Sequence, residues 1–151
     1  MRKTSLMIHA LTAMTVLMGG ITMSTAGQAA DDPVKVRREG FEANKKSMGV
    51  IKKALEDNGP LTEVKAQVEA MNAFSKQIAT LFPPGSDKGK TEAKAEIWQN
   101  FPDFTAKAQK FEAESAKLAE ITDAGDKAAV MKQFGAVGAT CKGCHELYRQ
   151  D

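Results

Sequence analysis

Apolar residues recur at steps of three and four along most of the chain after residue 33, and this spacing limits the possible folds more than any other feature. It places apolar side chains on one face of an α-helix, where they can pack against other helices. No segment alternates apolar and polar residues over a useful length, so we predict no β-strands. The sequence therefore indicates an all-α protein.

Turn signals divide this periodic sequence into separate helices. The first is predicted over Pro33–Asn58, because proline suits a helix start and Asn58-Gly59-Pro60 is a stop signal. Thr62 is a predicted N-cap of the second helix, which the Pro83–Asp87 loop follows. The first two long helices are therefore predicted to be joined by a turn of a few residues.

Two more long helices follow the loop. Thr91 is predicted to cap a short helical piece that runs to Trp98, and residues 100–102 interrupt it. The third long helix has its last turn at residues 123–126, and the fourth reaches Tyr148. Four helices joined by short turns favour antiparallel neighbours, so we expect an up-down-up-down four-helix bundle.

Each long helix carries an apolar stripe. The stripes are, in chain order, Val34, Arg37, Phe41, Asn44, Met48, Ile51 and Leu55; Val64, Val68, Met71, Ile78 and Leu81; Ile97, Phe101, Phe104, Ala108, Phe111, Ser115 and Leu118; and Val130, Phe134, Val137, Cys141, Cys144 and Tyr148. Phe74 lies close to the second stripe. We interpret Met48, Met71 and Met131 as core residues, because methionine commonly fills gaps in cores.

The first 29 residues predict a secretory signal peptide. Two basic residues open the chain, an apolar stretch runs from about Leu6 to Ile21 without an acidic residue, and small residues lead to a cleavage site after Ala29. A membrane anchor is the alternative, but threonines and glycines in the stretch weaken it. We therefore expect residues 1–29 to be removed and residues 30–151 to form one periplasmic domain without a membrane segment.

Composition bounds the function of this domain. The chain has 21 Lys and Arg residues against 19 Asp and Glu, and its formal net charge of +2 gives no basic footprint for nucleic acid. Two cysteines are too few for a small disulfide scaffold. Once residues 1–29 are removed, the only cysteines are Cys141 and Cys144, and the only histidine is His145.

Cys141-Lys142-Gly143-Cys144-His145 matches the Cys-x-x-Cys-His pattern of c-type haem attachment. On a helix the two thiols lie on neighbouring turns of one face, where they can meet the two vinyl groups at one porphyrin edge, and the histidine can ligate iron. Three alternatives remain. A redox dithiol is expected in a βαβ context, a zinc site needs a fourth ligand such as Glu146, and core thiols can fall at this spacing by chance. Export favours haem, because bacteria attach haem covalently outside the cytoplasm.

The position of the motif narrows the class of haem protein. His145 lies six residues from the end of the chain, whereas common small cytochromes c carry the motif near their start. Other distinctive features are Arg37 four residues before Phe41, the Leu81–Gly85 loop, the stretch Thr91–Trp98, and Tyr148-Arg149. With these features, residues 30–151 resemble cytochrome c′, the class II family of c-type cytochromes.

The resemblance implies a ligand set for one haem c. Cys141 and Cys144 would form thioether bonds, and His145 would be the proximal iron ligand. Five further haem contacts are implied: Arg37 and Arg38 near a propionate, Thr91 and Glu92 at the haem edge, and Arg149 near the proximal face.

Position 41 decides the iron coordination that the resemblance implies. The low-spin branch of the class, the c-556 and c-554 type, has a methionine here as sixth ligand, whereas Phe41 cannot ligate. Met48 lies two turns away, about 10 Å along the helix axis. We therefore expect five-coordinate, high-spin iron beneath an apolar lid formed by Phe41, with a low-spin electron carrier as the alternative.

Open iron without a distal hydrogen-bond donor favours NO and CO over polar bound O₂. The expected function is therefore binding of NO and CO, together with single-electron exchange with periplasmic redox partners. A peroxidase-like enzyme would need a distal acid or base, and the only remaining histidine is committed to iron, so we expect no enzymatic activity. The resemblance further implies NO binding at the proximal face in some members and a homodimer through the first two helices.

Overall fold

Four long helices and one short helix form the described part of the chain. The computed structural model describes residues 32–150, and the predicted signal peptide lies outside this range. The helices are α1 Pro33–Glu56, α2 Leu61–Ser75, α3 Glu96–Gln99, α4 Phe101–Ala124 and α5 Lys127–Tyr148, with a 3₁₀ turn at Ala79–Leu81. Residues 32–150 contain no β-strand, only an isolated bridge between Ala93 and Arg149. The all-α prediction is confirmed.

The long helices form an antiparallel bundle. α1 packs on α2, α2 on α4, and α4 on α5. Lys127 at the start of α5 donates from Nζ to the Asn58 carbonyl and side chain just after α1, both at 2.9 Å. Lys65 near the start of α2 lies 2.7 Å from Asp123 near the end of α4. These contacts join starts to ends of helices, as the up-down-up-down prediction requires.

Local signals explain where several helices begin and end. Asp32 accepts a hydrogen bond from the Val34 amide at 3.0 Å at the start of α1, and Asp126 accepts one from the Ala129 amide at 3.0 Å at the start of α5. Gly125 ends α4 with a φ of 83°, a left-handed conformation that glycine adopts without steric cost. α1 ends at Glu56, two residues before the predicted boundary.

The predicted cap of α2 is wrong. Thr62 lies inside the helix, which begins at Leu61 after Pro60 and has no side-chain cap. α2 also ends at Ser75, earlier than its stripe suggested, so Ile78 is buried from the following turn rather than from the helix.

The predicted helical piece from Thr91 to Trp98 is mostly non-helical. Only Glu96–Gln99 is helical, because the residues before it pair with the end of α5: the Lys94 amide donates to the Tyr148 carbonyl at 3.0 Å. The interruption predicted at residues 100–102 is confirmed only at Asn100, because α4 begins at Phe101 and includes Pro102.

The apolar stripe of α1 faces two different surroundings. Ile51 is buried against the bundle, whereas Phe41 and Met48 are half-buried. Met71 is buried as predicted, but the prediction for Met131 is wrong, because it lies beside the stripe of α5 and is 51% exposed. No helix within residues 32–150 is long and apolar enough to cross a membrane.

Candidate haem site

The last two turns of α5 present Cys141, Cys144 and His145. The cysteines are half-buried, form no disulfide, and lie one turn apart, whereas His145 is exposed. Asp126 caps the start of this helix, which continues without a break to Tyr148. The helical placement that the attachment motif requires is therefore present.

The two thiols stay protonated at neutral pH. Burial raises the pKa of Cys144 to about 11, although the charge of Lys107 opposes this, and burial also raises the pKa of Cys141. Reactive dithiol centres instead depend on a lowered cysteine pKa. No group of three or more His, Cys, Asp or Glu residues within residues 32–150 could hold a metal ion. Within residues 32–150, the site therefore lacks both the lowered cysteine pKa that a redox dithiol needs and the grouped ligands that a zinc site needs.

His145 has the protonation state that a metal ligand needs. Although the residue as a whole is exposed, partial burial of the ring lowers the pKa of His145. The positive charge of Arg149 lowers it further, against a smaller opposing effect of Glu92. The neutral imidazole that results keeps a lone pair for ligation.

A large cavity separates α1 from α5 at this end of the bundle. Its volume is about 980 Å³, at the upper end of the roughly 300–1,000 Å³ range of cofactor sites. Cys141, Cys144 and His145 all line it. The apolar residues that line it include Phe41, Met48, Ile78, Phe82, Ile97, Phe104, Ala108, Phe111 and Tyr148. A mainly apolar cavity beside two half-buried thiols fits a haem held by α5.

Phe41 lies on the α1 side of this cavity in a fixed aromatic setting. Its ring meets the Phe74 ring edge-on, with centroids 5.2 Å apart, and lies 6.4 Å from the Phe82 ring. The backbone of Gly40 lies so close to Phe74 that any Cβ there would overlap the ring. Gly40 thus allows the packing that holds Phe41, a role that the sequence pattern did not reveal.

Asn44 also lines the cavity, one helical turn after Phe41. Its amide is a hydrogen-bond donor on the α1 side. From the sequence, Asn44 belongs to the apolar stripe, and no donor is expected on the distal face. The cavity wall is therefore more polar there than expected.

Arg37 is buried and clamps the loop between α2 and α3. Its guanidinium donates to Ser86 Oγ at 2.8 Å and Ser86 O at 2.6 Å, to Leu81 O at 3.1 Å and to Thr91 Oγ1 at 2.8 Å. It also lies 4.5 Å from the centre of the Phe82 ring. Burial lowers the pKa of Arg37, against a smaller effect of Asp32. Arg37 lines the cavity, so the contact with a propionate stays a prediction beside this observed clamp.

Glu92 and Arg149 meet at the end of α5, whereas the Thr91 side chain bonds to Arg37. The Glu92 carboxylate lies 3.2 Å from Arg149 Nε, and Arg149 Nη1 lies 3.5 Å from His145 Nδ1. The Gln150 amide donates to the Glu92 carbonyl at 2.7 Å, so the loop and the helix end are joined by backbone as well. The structure thus brings Glu92 and Arg149 to His145, whereas Arg38 is exposed at the cavity rim.

Tyr148, Asp103 and Lys107 form a polar link between α5 and α4 that the sequence did not indicate. The Tyr148 hydroxyl donates to Asp103 Oδ2 at 2.5 Å, and Lys107 lies 3.8 Å from the same carboxylate oxygen. Lys107 and Tyr148 both line the cavity. A charged residue, Lys107, interrupts the apolar face that carries Phe104 and Ala108, and this interruption could have indicated the polar link.

Comparison with known proteins agrees with this site. The family model for cytochrome c′ matches residues 32–149. The cytochrome c′ of Allochromatium vinosum is 35% identical over 149 residues, which cover 94% of this chain and 97% of the relative. A cytochrome c-556 of Agrobacterium fabrum is 38% identical over 106 residues, 68% of this chain and 70% of the relative.

The fold is shared with solved members of the same family. The nitric oxide complex of a variant cytochrome c prime from Alcaligenes xylosoxidans aligns with a TM-score of 0.71 and 32% identity, over 79% of this chain and 94% of the solved chain. The family model covers the whole four-helix bundle, including the attachment motif. This chain belongs to the cytochrome c′ family, whose members bind haem c.

Proposed function

We propose that this chain is exported, loses residues 1–29 and acts in the periplasm as a c-type haem protein that binds NO and CO under Phe41. Its haem also exchanges single electrons with periplasmic redox partners. Phe41 carries the proposal, because it covers the α1 side of the cavity and has no atom that can ligate iron. Members of this family are electron carriers or gas-binding proteins rather than classical enzymes.

Three residues of α5 would hold the haem. Cys141 and Cys144 would form the thioether bonds, and His145, neutral because of its lowered pKa, would ligate the iron. Haem c in this site would supply an iron that takes up a diatomic ligand or exchanges one electron. We further propose that Arg37 and Arg38 contact a propionate, with Thr91 and Glu92 at the haem edge.

The protein's own residues would shape access to the site. Phe41, fixed by Phe74 and Phe82, excludes water from the α1 side and must turn aside when a gas enters. On the other side, Arg149 lies beside His145 and presents the nearest cation. Glu92 fixes Arg149 through its ion pair.

Relatives support the gas-binding part of the proposal. The structure of a variant of the Alcaligenes xylosoxidans protein has been solved as its nitric oxide complex. Another solved cytochrome c′ has a ligand-controlled dimer dissociation. By analogy we propose that this chain forms a homodimer through α1 and α2, where Val50 is 42% exposed.

A low-spin electron carrier is the second candidate function. Met48 favours it, because this thioether side chain lines the same cavity on α1. The c-556 relative supports it by sequence. The geometry favours the gas-binding candidate, because Phe41 lies about two turns closer than Met48 to the start of α1, where Arg37 and the loop close the cavity.

Gas binding is tested by exposing the reduced holoprotein separately to NO, CO and O₂ and recording the Soret band. The proposal expects large shifts with NO and CO and no stable adduct with O₂. No shift with any gas would overturn it. An O₂ adduct in the parent that is lost in Asn44→Leu would assign a distal hydrogen bond to Asn44 and contradict the expected discrimination against O₂.

A further inference from the structure

A second concave surface adjoins the large cavity between α1 and α5, the haem cavity. This basic groove has a volume of about 590 Å³ and lies between the first turns of α1 and the loop of residues 83–90. Its charged lining residues are four basic and one acidic: Lys35, Arg38, Lys88, Lys90 and Asp32. Lys35 and Arg38 line the haem cavity as well, so the groove opens directly beside it.

Most of the positive charge in the basic groove is not neutralised. Lys35 lies 3.9 Å from Glu39, but Arg38, Lys88 and Lys90 are exposed and form no ion pair with another residue of the range 32–150. The Asp32 carboxylate accepts the hydrogen bond that caps α1. The groove therefore presents three free cations to solvent.

The loop that carries two of these cations is held in a fixed place. The buried Arg37 guanidinium bonds to Ser86 and Thr91, which bracket Lys88 and Lys90 in sequence. Trp98 Nε1 fixes the start of the loop by donating to the Pro83 carbonyl at 3.0 Å. The cations of the loop and of α1 are thus held near one another before any partner arrives, which lowers the cost of binding.

Charge is distributed unevenly over the molecule. The residues lining the basic groove and the haem cavity include nine basic and four acidic side chains. The rest of residues 32–150 has ten basic and thirteen acidic side chains. The propionates of a bound haem c would reduce this excess of positive charge without reversing it. An acidic surface is therefore drawn to the face where the haem edge would lie.

We propose that the basic groove docks an acidic redox protein, so that the partner meets the haem edge at the start of α1. This inference rests on the proposed electron-carrying function. Opposite charges raise the rate of encounter and select the orientation, and Lys88 and Lys90 sit where such a partner would first make contact. Salt weakens the attraction, since exposed charges are screened over about 10 Å at 0.1 M ionic strength.

A pair of charge-reversal variants tests the proposal on the holoprotein. Lys88→Glu/Lys90→Glu reverses two groove cations. Lys117→Glu/Lys132→Glu makes the same change in net charge at two exposed helix positions that line neither concavity. An acidic flavodoxin serves as the protein probe, and ferricyanide as the small anionic probe. Association is measured by fluorescence titration of the flavodoxin, and electron transfer by stopped flow, each at several ionic strengths.

The proposal expects binding and electron transfer to be strongest at low salt. The groove variant should lose at least about tenfold in the rate with flavodoxin at low ionic strength, and the control variant at most about twofold. Equal losses in both variants, or rates that do not depend on salt, would overturn the proposal. Preference for vesicles of anionic phospholipid over flavodoxin would also overturn it, in favour of a membrane surface.

Failure of the proposed function would be distinguishable from failure of the docking proposal. If flavodoxin binds in a groove-dependent manner but neither probe exchanges electrons with the haem, the groove docks an acidic protein and the electron-carrier role is wrong. If electron transfer is normal but insensitive to the groove variant, the electron-carrier role stands and the groove proposal is wrong.

Discussion

The residue at position 41 determines whether the α1 side of the cavity can supply a ligand to an iron held by α5. Phe41 packs on Phe74 and Phe82 and presents only an aromatic ring. We predict that Phe41→Met converts the holoprotein from high-spin to low-spin, because it adds a thioether that can ligate iron at a position lining the cavity.

The control for this change is Phe41→Leu, which removes the ring without adding a ligand. Its ferric spectrum should remain high-spin, and ligand entry should be faster than in the parent because the smaller side chain covers less of the cavity. A methionine variant that stays high-spin would show that position 41 does not face the iron.

Tyr148 makes the alkaline stability of the protein depend on one hydroxyl group. Burial first, and its hydrogen bond to Asp103 second, raise the pKa of Tyr148 from the ordinary value of 10.0 to about 12. The folded state therefore holds this proton more tightly than the unfolded state. The resulting stability is complete below about pH 10 and is lost as pH rises through about 12.

Tyr148→Phe removes this titration. We predict that the parent loses more unfolding free energy between pH 10 and pH 12 than the variant, as measured by urea denaturation across that range. The difference between the two proteins isolates Tyr148 from the lysines, which titrate in both. Parallel curves for the two proteins would contradict the assigned pKa shift.

At the scale of the helix, Gly40 and Gly49 of α1 are a matched pair. A Cβ at Gly40 would overlap the Phe74 ring, whereas a Cβ at Gly49 meets nothing within 4 Å. We predict that Gly40→Ala lowers the unfolding free energy by about 1–3 kcal/mol through overpacking. Gly49→Ala should raise it by about 0.5–1 kcal/mol, because alanine favours the helix. Thermal and urea unfolding measure both, and equal effects would contradict the close packing of α1 on α2.

The loop between α2 and α3 depends on the Arg37 clamp. Arg37→Lys keeps the charge but loses the forked geometry that reaches Ser86 and Thr91 together. We predict a loss of roughly 2–3 kcal/mol in unfolding free energy and faster amide hydrogen exchange in residues 82–91. Arg38→Lys, on the exposed neighbour, should change stability by at most about 0.5 kcal/mol. Unchanged exchange in the Arg37 variant would rule out the clamp.

The long helices could be predicted from the sequence, whereas the contacts that each side chain makes could be predicted only in part. Periodicity identified all four long helices, because it records which face each one buries. It did not separate Ile51, which is buried in the core, from Phe41 and Met48, which line the cavity, since all three are apolar. Thr91 Oγ1 does accept from the Ala93 amide, as a cap would, but no helix follows directly because residues 92–94 pair with the end of α5, more than 50 residues away in the sequence.

At the scale of the whole molecule, the bundle holds α1 and α5 apart at one end and joins them through turns at the other. The attachment motif could be predicted from five consecutive residues. The Arg37 clamp, the Tyr148–Asp103 link and the basic groove could not, because each joins residues 40 or more positions apart or depends on the loop conformation. These tertiary contacts define the cavity into which the motif faces.

We propose that a haem held by α5 would have its iron open on the side of Phe41. The most direct test is the optical spectrum of the purified holoprotein, ferric and then reduced with dithionite, without added ligand. We expect high-spin bands in the ferric state and a broad Soret band on reduction. A sharp low-spin α-band would show that a side chain, Met48 first, reaches the iron, and would contradict the open site.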